Sequence, residues 1–224
     1  MKVVCATRES PERFYTATAT GRSLALYRVA PSDVLLYANN KRGLPAVYNE
    51  AIDACARDPA VLLFVHDDVH LCDFYWQSKL LQALGRFDVV GLAGNKRRVP
   101  RQPAWAFVDD KLTWDGREHL SGVVGHGKGF PPGNLSIFGQ PGKQVKLLDG
   151  VFLAARSSTL VERGVRFDER FAFHLYDMDF CRSCEAAALQ LGTWSISLIH
   201  ESGGNFGSPS WRAAYAAYLE KWGE

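Results

Sequence analysis

Three short runs of continuous apolar residues constrain the fold of this chain more than any other feature. They cover residues 3–6, 34–38 and 61–65, and none of them alternates polar with apolar side chains. Alternation is typical of a strand with one solvent-exposed face, whereas a continuous run needs apolar cover on both faces. The runs therefore predict buried strands of a parallel sheet that has helices on both sides.

Helix signals fill the gaps between these runs. Pro45 suits the first turn of a helix and Asp58-Pro59 suits its end, so we expect a helix over residues 45–57. Asp73 is a candidate cap for the next helix, which extends to about residue 84, and residues 88–92 are typical of a fourth strand. This alternation of strands and helices predicts a single α/β domain.

The character of the sequence changes between residues 94 and 144, where prolines, glycines and isolated aromatic residues replace periodic apolar residues. We expect short strands at 105–108 and 120–124 and a long glycine-rich loop that includes 125–133. Regular structure resumes after this region. It is predicted as strands at 145–148 and 151–155, a helix over 178–191, a strand over 193–199 and a C-terminal helix whose aromatic face packs on the core.

Composition excludes several classes of partner. The 26 basic and 24 acidic residues give a formal net charge of +2, which is too small for broad capture of nucleic acid or an anionic membrane. No segment reaches the roughly 18 apolar residues of a membrane span, and the N-terminus lacks the pattern of a signal peptide. With five cysteines, an odd number, these features lead us to expect a cytoplasmic protein with reduced thiols.

The strongest chemical signal follows the third strand, in the segment His66-Asp67-Asp68-Val69-His70. Ligands of open α/β sheets collect beyond the carboxyl ends of the strands, which is where this segment must lie. Asp68 and His70 are separated by one residue, so their side chains are predicted to converge on one cation. The alternative is that Asp67 and Asp68 only cap the following segment.

Two further segments carry candidate groups. Asp177 and Asp179 precede a predicted helix, where one of them suffices as an N-cap and the other is spare. We assign Asp177 as a general base because a carboxylate in an apolar setting suits that role. His200 follows the strand predicted over 193–199, and it is either a structural residue or a third ligand beside Asp68 and His70.

Taken together, five segments resemble the GT-A fold glycosyltransferases, in particular their family-two-like inverting branch. Within residues 61–70 the metal motif has the form Asp-x-His, and in Tyr176-Asp177-Met178-Asp179 a tyrosine stands where that family more often has glutamate. Asn39 and Asn40 end the second strand, where the family often has aspartate. The segments span residues 43–52, 61–70, 148–156, 167–171 and 176–179.

The resemblance implies a GT-A-type, Rossmann-like domain with a mostly parallel central sheet flanked by helices and a small acceptor-side β region. Residues 1–93 are expected to form the nucleotide-sugar-binding half, 94–209 the acceptor-side and catalytic half, and 210–224 a C-terminal helix. It further implies a divalent metal bound by Asp68, His70 and His200, with Asp177 as the base. Two imidazoles beside one carboxylate favour Mn²⁺ over Mg²⁺.

The resemblance also implies the partners. The donor is expected to be a nucleotide sugar, with a UDP-sugar as the first choice, and the acceptor a glycan or other hydroxyl compound, as in surface polysaccharide assembly. Expected nucleotide-binding residues are Arg8, Asn39, Asn40 and Asp67, and expected acceptor-binding residues are Asp149, Gly150 and His174.

Several alternatives stay open at this point. Asp and His at strand ends also suit a metal-dependent phosphoester hydrolase or nucleotidyltransferase, and a non-catalytic sugar-binding protein can share the same fold. Residues 125–142 and 201–207 are candidates for lids over the substrates. Trp105, Trp114 and Phe130 are candidates for stacking on a sugar, with core packing or loop anchoring as the simpler interpretation.

Overall fold

The computed structural model describes all 224 residues, and the first half of the chain alternates strands with helices as expected. Pro45 occupies the first turn of α3, where its missing N–H costs nothing because that turn has no partner for it. The elements are β1 (Lys2–Ala6), α1 (Pro11–Ala17), α2 (Ala19–Leu26), β2 (Val34–Tyr37), α3 (Leu44–Ala54), β3 (Val61–Val65), β4 (Val69–Leu71), α4 (Trp76–Ala83), β5 (Val89–Gly91) and β6 (Ala93–Asn95).

The second half contains shorter strands and three more helices. Helix α6 begins directly after Leu175, whose positive φ of 64° turns the chain sharply into the helix. The elements are β7 (Leu120–His126), β8 (Asn134–Gly139), β9 (Gln144–Val145), β10 (Leu147–Leu148), β11 (Phe152–Arg156), α5 (Ser157–Glu162), α6 (Tyr176–Ala186), β12 (Leu191–Thr193), β13 (Leu198–His200) and α7 (Pro209–Trp222).

The central sheet has seven strands in the order β2-β1-β3-β11-β5-β12-β9. Strands β2, β1, β3, β5 and β12 run in one direction, and only β11 and β9 oppose them. Every residue of β3 is buried, as its continuous apolar sequence requires. The predicted α/β class, with a mostly parallel sheet flanked by helices, is therefore confirmed.

A second sheet has the order β10-β6-β7-β13-β4, with β8 paired to β7, and it corresponds to the small β region that was expected. The predicted glycine-rich loop is shorter than expected. Strand β7 continues to His126 and β8 begins at Asn134, so most of residues 120–139 form a hairpin. Cross-strand pairs such as Val123 with Ile137 stabilise this hairpin despite its glycines.

Three other strand predictions were wrong in detail. The strand expected over 145–148 is divided between β9 and β10, and the strand expected over 193–199 is divided between β12 and β13. In each case the two parts belong to different sheets. The strand expected over 105–108 is absent, and only isolated bridges join Phe107 to Ala104 and to Trp114.

One continuous hydrophobic core of 55 buried residues joins the two sheets and their helices. Trp211 and Tyr218 of α7 belong to this core, as the spacing of the tail aromatics predicts. No helix has both the length and the apolar character that a membrane crossing requires. All five cysteines are free thiols.

Candidate functional site

Three potential metal ligands meet where β3 and β13 end. His66 directly follows β3, Asp68 lies in the turn before β4, and His200 is the last residue of β13. One ligand atom from each side chain lies within 4.8 Å of the other two. The structure therefore unites three ligands from segments that are distant in sequence, and we call this group the His66–Asp68–His200 cluster.

The Oδ1 atom of Asp68 is the most informative atom in this cluster. It is buried and has no hydrogen-bond partner, although Nε2 of His200 lies 3.3 Å away. The same Nε2 lies 3.1 Å from the hydroxyl of Ser202. Buried carboxylate oxygens are normally paired, and a cation would satisfy both Asp68 and the imidazoles. The residues present therefore fit a divalent metal ion.

Tyr176 determines which nitrogen of His66 is available. Its hydroxyl donates to the carbonyl of Gly150 at 2.8 Å and lies 2.9 Å from Nε2 of His66. Because the single hydroxyl proton is already used, Nε2 of His66 must be the donor in this contact. The lone pair of neutral His66 is then on Nδ1, which is the state that a metal ligand requires.

The protonation states of His66 and Asp68 suit a metal, whereas His200 must give up a proton to bind one. Burial lowers the pKa of His66, which keeps its ring neutral. Burial opposes ionisation of Asp68, but the nearby His200 outweighs it and holds the pKa of Asp68 below its usual range. Burial likewise disfavours charged His200, yet the Asp68 carboxylate raises the pKa of His200 overall. Asp68 and His200 thus attract each other in the absence of an ion.

His70 does not join this cluster, which corrects the predicted ligand set. His200 pairs with Val69 and Ile199 pairs with His70 across β13 and β4. Successive strand residues point to opposite faces, so His70 and His200 project from opposite faces of this strand pair. Nε2 of His70 instead contacts Oε1 of Glu201 at 2.7 Å. His66, which the sequence analysis did not select, takes the third position.

The first of two cavities beside the cluster has a volume of about 610 Å³ and is bordered by His66, Asp67 and Asp68. Arg8, Lys41 and Arg42 also line it. Arg42 is bound to Glu50 at 2.7 Å, whereas Arg8 and Lys41 are exposed. This cavity therefore combines uncommitted positive charge with carboxylates near the cluster.

Of the four expected nucleotide-binding residues, three line the first cavity and Asn39 does not. Arg8 and Asp67 line the first cavity, and Oδ2 of Asp67 accepts a hydrogen bond from Thr7 at 2.6 Å. Asn40 also lines it, but its amide is occupied by the backbone of Arg42 in a local turn. Asn39 is exposed outside the cavity with φ of 49°, a turn conformation that asparagine tolerates.

The second cavity has a volume of about 570 Å³ and contains all the predicted acceptor-side residues. Asp149, Gly150, His174 and Asp177 line it together. Asp149 accepts from the indole N–H of Trp105 at 2.9 Å, which fixes the carboxylate. A Cβ atom on Gly150 would collide with the Tyr176 hydroxyl, so this close approach requires glycine.

Asp177 is held by two backbone donors. Its Oδ2 accepts from the N–H of Gly150 at 3.1 Å, and its Oδ1 accepts from the N–H of Met178 at 2.9 Å. Burial and then the charge of Asp149 raise the pKa of Asp177 to about 7. A carboxylate with such a pKa takes up and releases a proton near neutrality, which suits a general base.

Neither Asp177 nor Asp179 caps α6 in the way that was considered for them. Leu175 occupies the N-cap position and makes no side-chain capping bond. Asp179 accepts from the amine of Lys221 at 2.6 Å and from the indole N–H of Trp222 at 3.0 Å. Asp179 therefore anchors α7 to α6, and Asp177 is the carboxylate that remains for chemistry.

The two cavities meet at three residues. His66, Phe173 and Ser202 line both of them. The ring of Phe173 stacks on that of His66 with centroids 5.9 Å apart. No motif in the sequence distinguished Phe173, because an isolated exposed aromatic residue in a loop has no pattern of its own. The His66–Asp68–His200 cluster is thus placed at the junction between the two cavities.

Comparison with known proteins identifies likeness in structure only. No protein-family model matches the chain, and no curated protein sequence matches it. The crystal structure of S. aureus TarS 1-349 is 14% identical with a TM-score of 0.45, covering 90% of this chain and 60% of that chain. The crystal structure of S. aureus TarS is 14% identical with a TM-score of 0.49, covering 98% of this chain and 40% of that chain.

The crystal structure of A197 from STIV is 11% identical with a TM-score of 0.47, covering 91% of this chain and 96% of that chain. The present chain thus spans 60% and 40% of the lengths of the two TarS structures. Similarity at this level concerns the backbone fold alone.

Proposed function

We propose that the protein is a metal-dependent glycosyltransferase of the GT-A type. It transfers a sugar from a nucleotide-sugar donor in the first cavity to a hydroxyl group of an acceptor in the second. The observation that supports this proposal best is the junction of the two cavities at His66, Phe173 and Ser202, beside the His66–Asp68–His200 cluster. A transfer reaction needs two binding volumes that open onto one reaction centre, so that donor and acceptor are held close together.

The donor diphosphate is assigned to the first cavity because Arg8 and Lys41 line it, are exposed and make no salt bridge. Asp67 is positioned to accept a hydrogen bond from a ribose hydroxyl, and its raised pKa follows from burial. The occupied amide of Asn40 and the outward position of Asn39 remove the residues that were expected to read the base. UDP remains the first nucleotide to test.

Asp68, His66 and His200 would hold the metal ion, and this donor set favours Mn²⁺ over Mg²⁺. When bound, the ion supplies positive charge that stabilises the departing nucleoside diphosphate. Ser202 lies beside His200 and Tyr176 beside His66, so both imidazoles have polar neighbours that orient them.

Asp177 is the proposed base. It accepts the proton of an acceptor hydroxyl while that oxygen attacks the anomeric carbon of the donor sugar. The bond between that carbon and the diphosphate oxygen breaks on the opposite face, its electron pair leaves with the nucleoside diphosphate, and the configuration is inverted. The backbone N–H groups of Gly150 and Met178 hold the carboxylate in place during this step.

A panel of UDP-sugars tested with Mn²⁺ and candidate acceptors measures this function directly through the release of UDP. We expect release with at least one pair of substrates and loss of acceptor-dependent release in Asp177→Asn. Asp58→Asn is the matched control because Asp58 is exposed and lines neither cavity. Full activity of Asp177→Asn would refute the assigned base, and an absence of nucleotide binding to the wild-type protein would refute the transferase.

A further inference from the structure

We infer that the second cavity binds a neutral acceptor that carries no phosphate, and that a sugar ring of this acceptor lies against an aromatic wall. The inference rests on the proposed function and specifies its acceptor. It is drawn from the distribution of charge and of aromatic side chains between the two cavities.

Both cavities contain carboxylates, but only the first contains lysine and arginine side chains. Arg8, Lys41 and Arg42 line the first cavity, whereas no lysine or arginine lines the second. The carboxylates of the second cavity belong to Asp149 and Asp177. Away from the His66–Asp68–His200 cluster, a phosphate group there would face these carboxylates without a lysine or arginine to compensate them, which is strongly unfavourable at a desolvated contact.

Four histidines line the second cavity, and two of them, His66 and His200, belong to the His66–Asp68–His200 cluster. Of the other two, His174 has its pKa lowered by burial, so its imidazole is neutral near pH 7. Nε2 of His126 lies 2.9 Å from the hydroxyl of Ser136, which gives the cavity a polar pair. Neutral imidazole and hydroxyl groups can hydrogen-bond to sugar hydroxyls but cannot neutralise a phosphate.

The wall of the second cavity is formed by a connected set of aromatic rings. Trp105 contacts Phe138 edge to face at 4.8 Å between centroids, and Trp114 stacks on Phe138 at 6.0 Å. Phe107 contacts Trp114 at 4.8 Å and Phe206 at 5.1 Å. All five residues line the cavity, so each ring is supported by at least one other ring. Supported rings form a rigid surface, which lowers the entropy lost on binding.

Part of this aromatic surface is open to solvent. Trp114 is 57% exposed and Phe206 is 39% exposed, and Phe173 at the junction is 54% exposed. Exposed aromatic rings that border a cavity are typical of ligand-binding surfaces. The C–H face of a pyranose is the apolar face of an otherwise polar ligand, and it matches such a surface, while its hydroxyls reach Asp149, Asp177 and the neutral imidazoles.

Saturation-transfer difference NMR tests the inference with the methyl glycosides of glucose, galactose and mannose and with their 6-phosphates. We expect at least one neutral methyl glycoside to bind, with the strongest saturation on ring C–H protons. Its 6-phosphate should bind at least about tenfold more weakly, in line with the cost of placing like charges together. Binding of the neutral ligand should change little with salt, because no ion pair contributes.

Two variants connect this signal to the aromatic wall. Trp114→Ala should weaken binding of the neutral glycoside by about fivefold or more, the scale of one aromatic contact of about 1 kcal/mol. Phe74→Ala is the matched control, because Phe74 is 82% exposed and lines neither cavity. Tighter or equal binding of the 6-phosphates, no effect of Trp114→Ala, or no binding of any neutral glycoside would overturn the inference.

Binding of UDP with Mn²⁺, measured separately by calorimetry, distinguishes this inference from the proposed function. If UDP does not bind while the glycoside binds in a Trp114-dependent manner, the transferase is wrong and the sugar site stands. If UDP binds and phosphorylated acceptors are preferred, the transferase stands and the neutral acceptor is wrong.

Discussion

Nε2 of His66 and the hydroxyl oxygen of Tyr176 lie 2.9 Å apart, and that hydroxyl donates to the carbonyl of Gly150. This contact connects α6 to the end of β3 and orients an imidazole of the His66–Asp68–His200 cluster. At position 176 the resemblance to glycosyltransferases leads one to expect glutamate. Tyrosine here gives the imidazole an uncharged acceptor, so it orients His66 without adding negative charge to the site.

Tyr176→Phe removes the acceptor of the His66 N–H while keeping the ring in the core. We expect the affinity for Mn²⁺ in the presence of UDP to fall by about tenfold, as for other residues that orient metal ligands. Calorimetric titration measures this change. Tyr27→Phe is the control, because it also loses a hydrogen bond to a backbone carbonyl, that of Leu71 at 3.3 Å, but outside the cluster. Equal affinities of the two variants would contradict an orienting role for Tyr176.

Two substitutions distinguish the metal ligands predicted from the sequence from the candidate ligands that meet in the structure. His66→Ala should reduce Mn²⁺ affinity by about a hundredfold, the scale expected when a ligand is removed rather than reoriented. His70→Ala should leave it nearly unchanged, since His70 contacts Glu201 and points away from the cluster. Electron paramagnetic resonance of bound Mn²⁺ reports both values, and the reverse pattern would restore His70 as the ligand.

The sequence was sufficient to predict the α/β class because β1, β2 and β3 are continuous apolar runs that only a sheet covered on both faces accommodates. It also indicated Asp68, His200 and Asp177 as candidates, because Asp68 and His200 follow predicted strands and Asp177 precedes a predicted helix. Such positions follow from local pattern alone, so no knowledge of the tertiary structure was needed.

The wrong predictions share a physical cause. Whether His66 or His70 faces His200 depends on the register of β4 and β13, and that register is decided by packing between residues far apart in sequence. The role of Asn40 depends similarly on a turn that its own side chain closes. Of the aromatic residues named as candidates for stacking on a sugar, Trp105 and Trp114 line the second cavity and Phe130 does not. The wall as a whole could not be predicted, because Trp114 and Phe206 meet through Phe107 only in three dimensions.

Arg8→Ala tests the donor cavity. Arg8 is exposed there, and a charged hydrogen bond to a diphosphate is worth about 1.5 kcal/mol or more, so UDP affinity should fall by about tenfold. The remaining affinity should depend less on salt than that of the wild-type protein. Arg57→Ala, an exposed arginine that does not line the cavity, is the control. Unchanged UDP binding in Arg8→Ala would place the diphosphate elsewhere.

The pH profile of transfer should report Asp177. Its pKa is raised to about 7 by burial and by the neighbouring Asp149, and only the deprotonated carboxylate can accept a proton. We therefore expect kcat/KM to rise with pH and to reach half of its plateau near pH 7, as measured with saturating Mn²⁺. Asp149→Asn removes one cause of the raised pKa and should move this midpoint to lower pH. A profile that is flat between about pH 5.5 and about pH 8 would argue against Asp177 as the base.

The same raised pKa predicts a cost to stability. Between the ordinary pKa of an aspartate and about 7, native Asp177 binds a proton that the unfolded chain has released, so stability decreases as pH rises through this window. The amide side chain introduced by Asp177→Asn is uncharged at any pH, so the variant does not lose this stability. The difference in free energy of unfolding between Asp177→Asn and the wild-type protein should therefore move in favour of the variant from about pH 5 to about pH 8. Denaturant unfolding at both pH values measures the difference, and Asp58→Asn, which alters an exposed carboxylate, should show no such trend. A constant difference would mean that the Asp177 carboxylate is ionised throughout, and its role as a base near neutrality would lose its physical support.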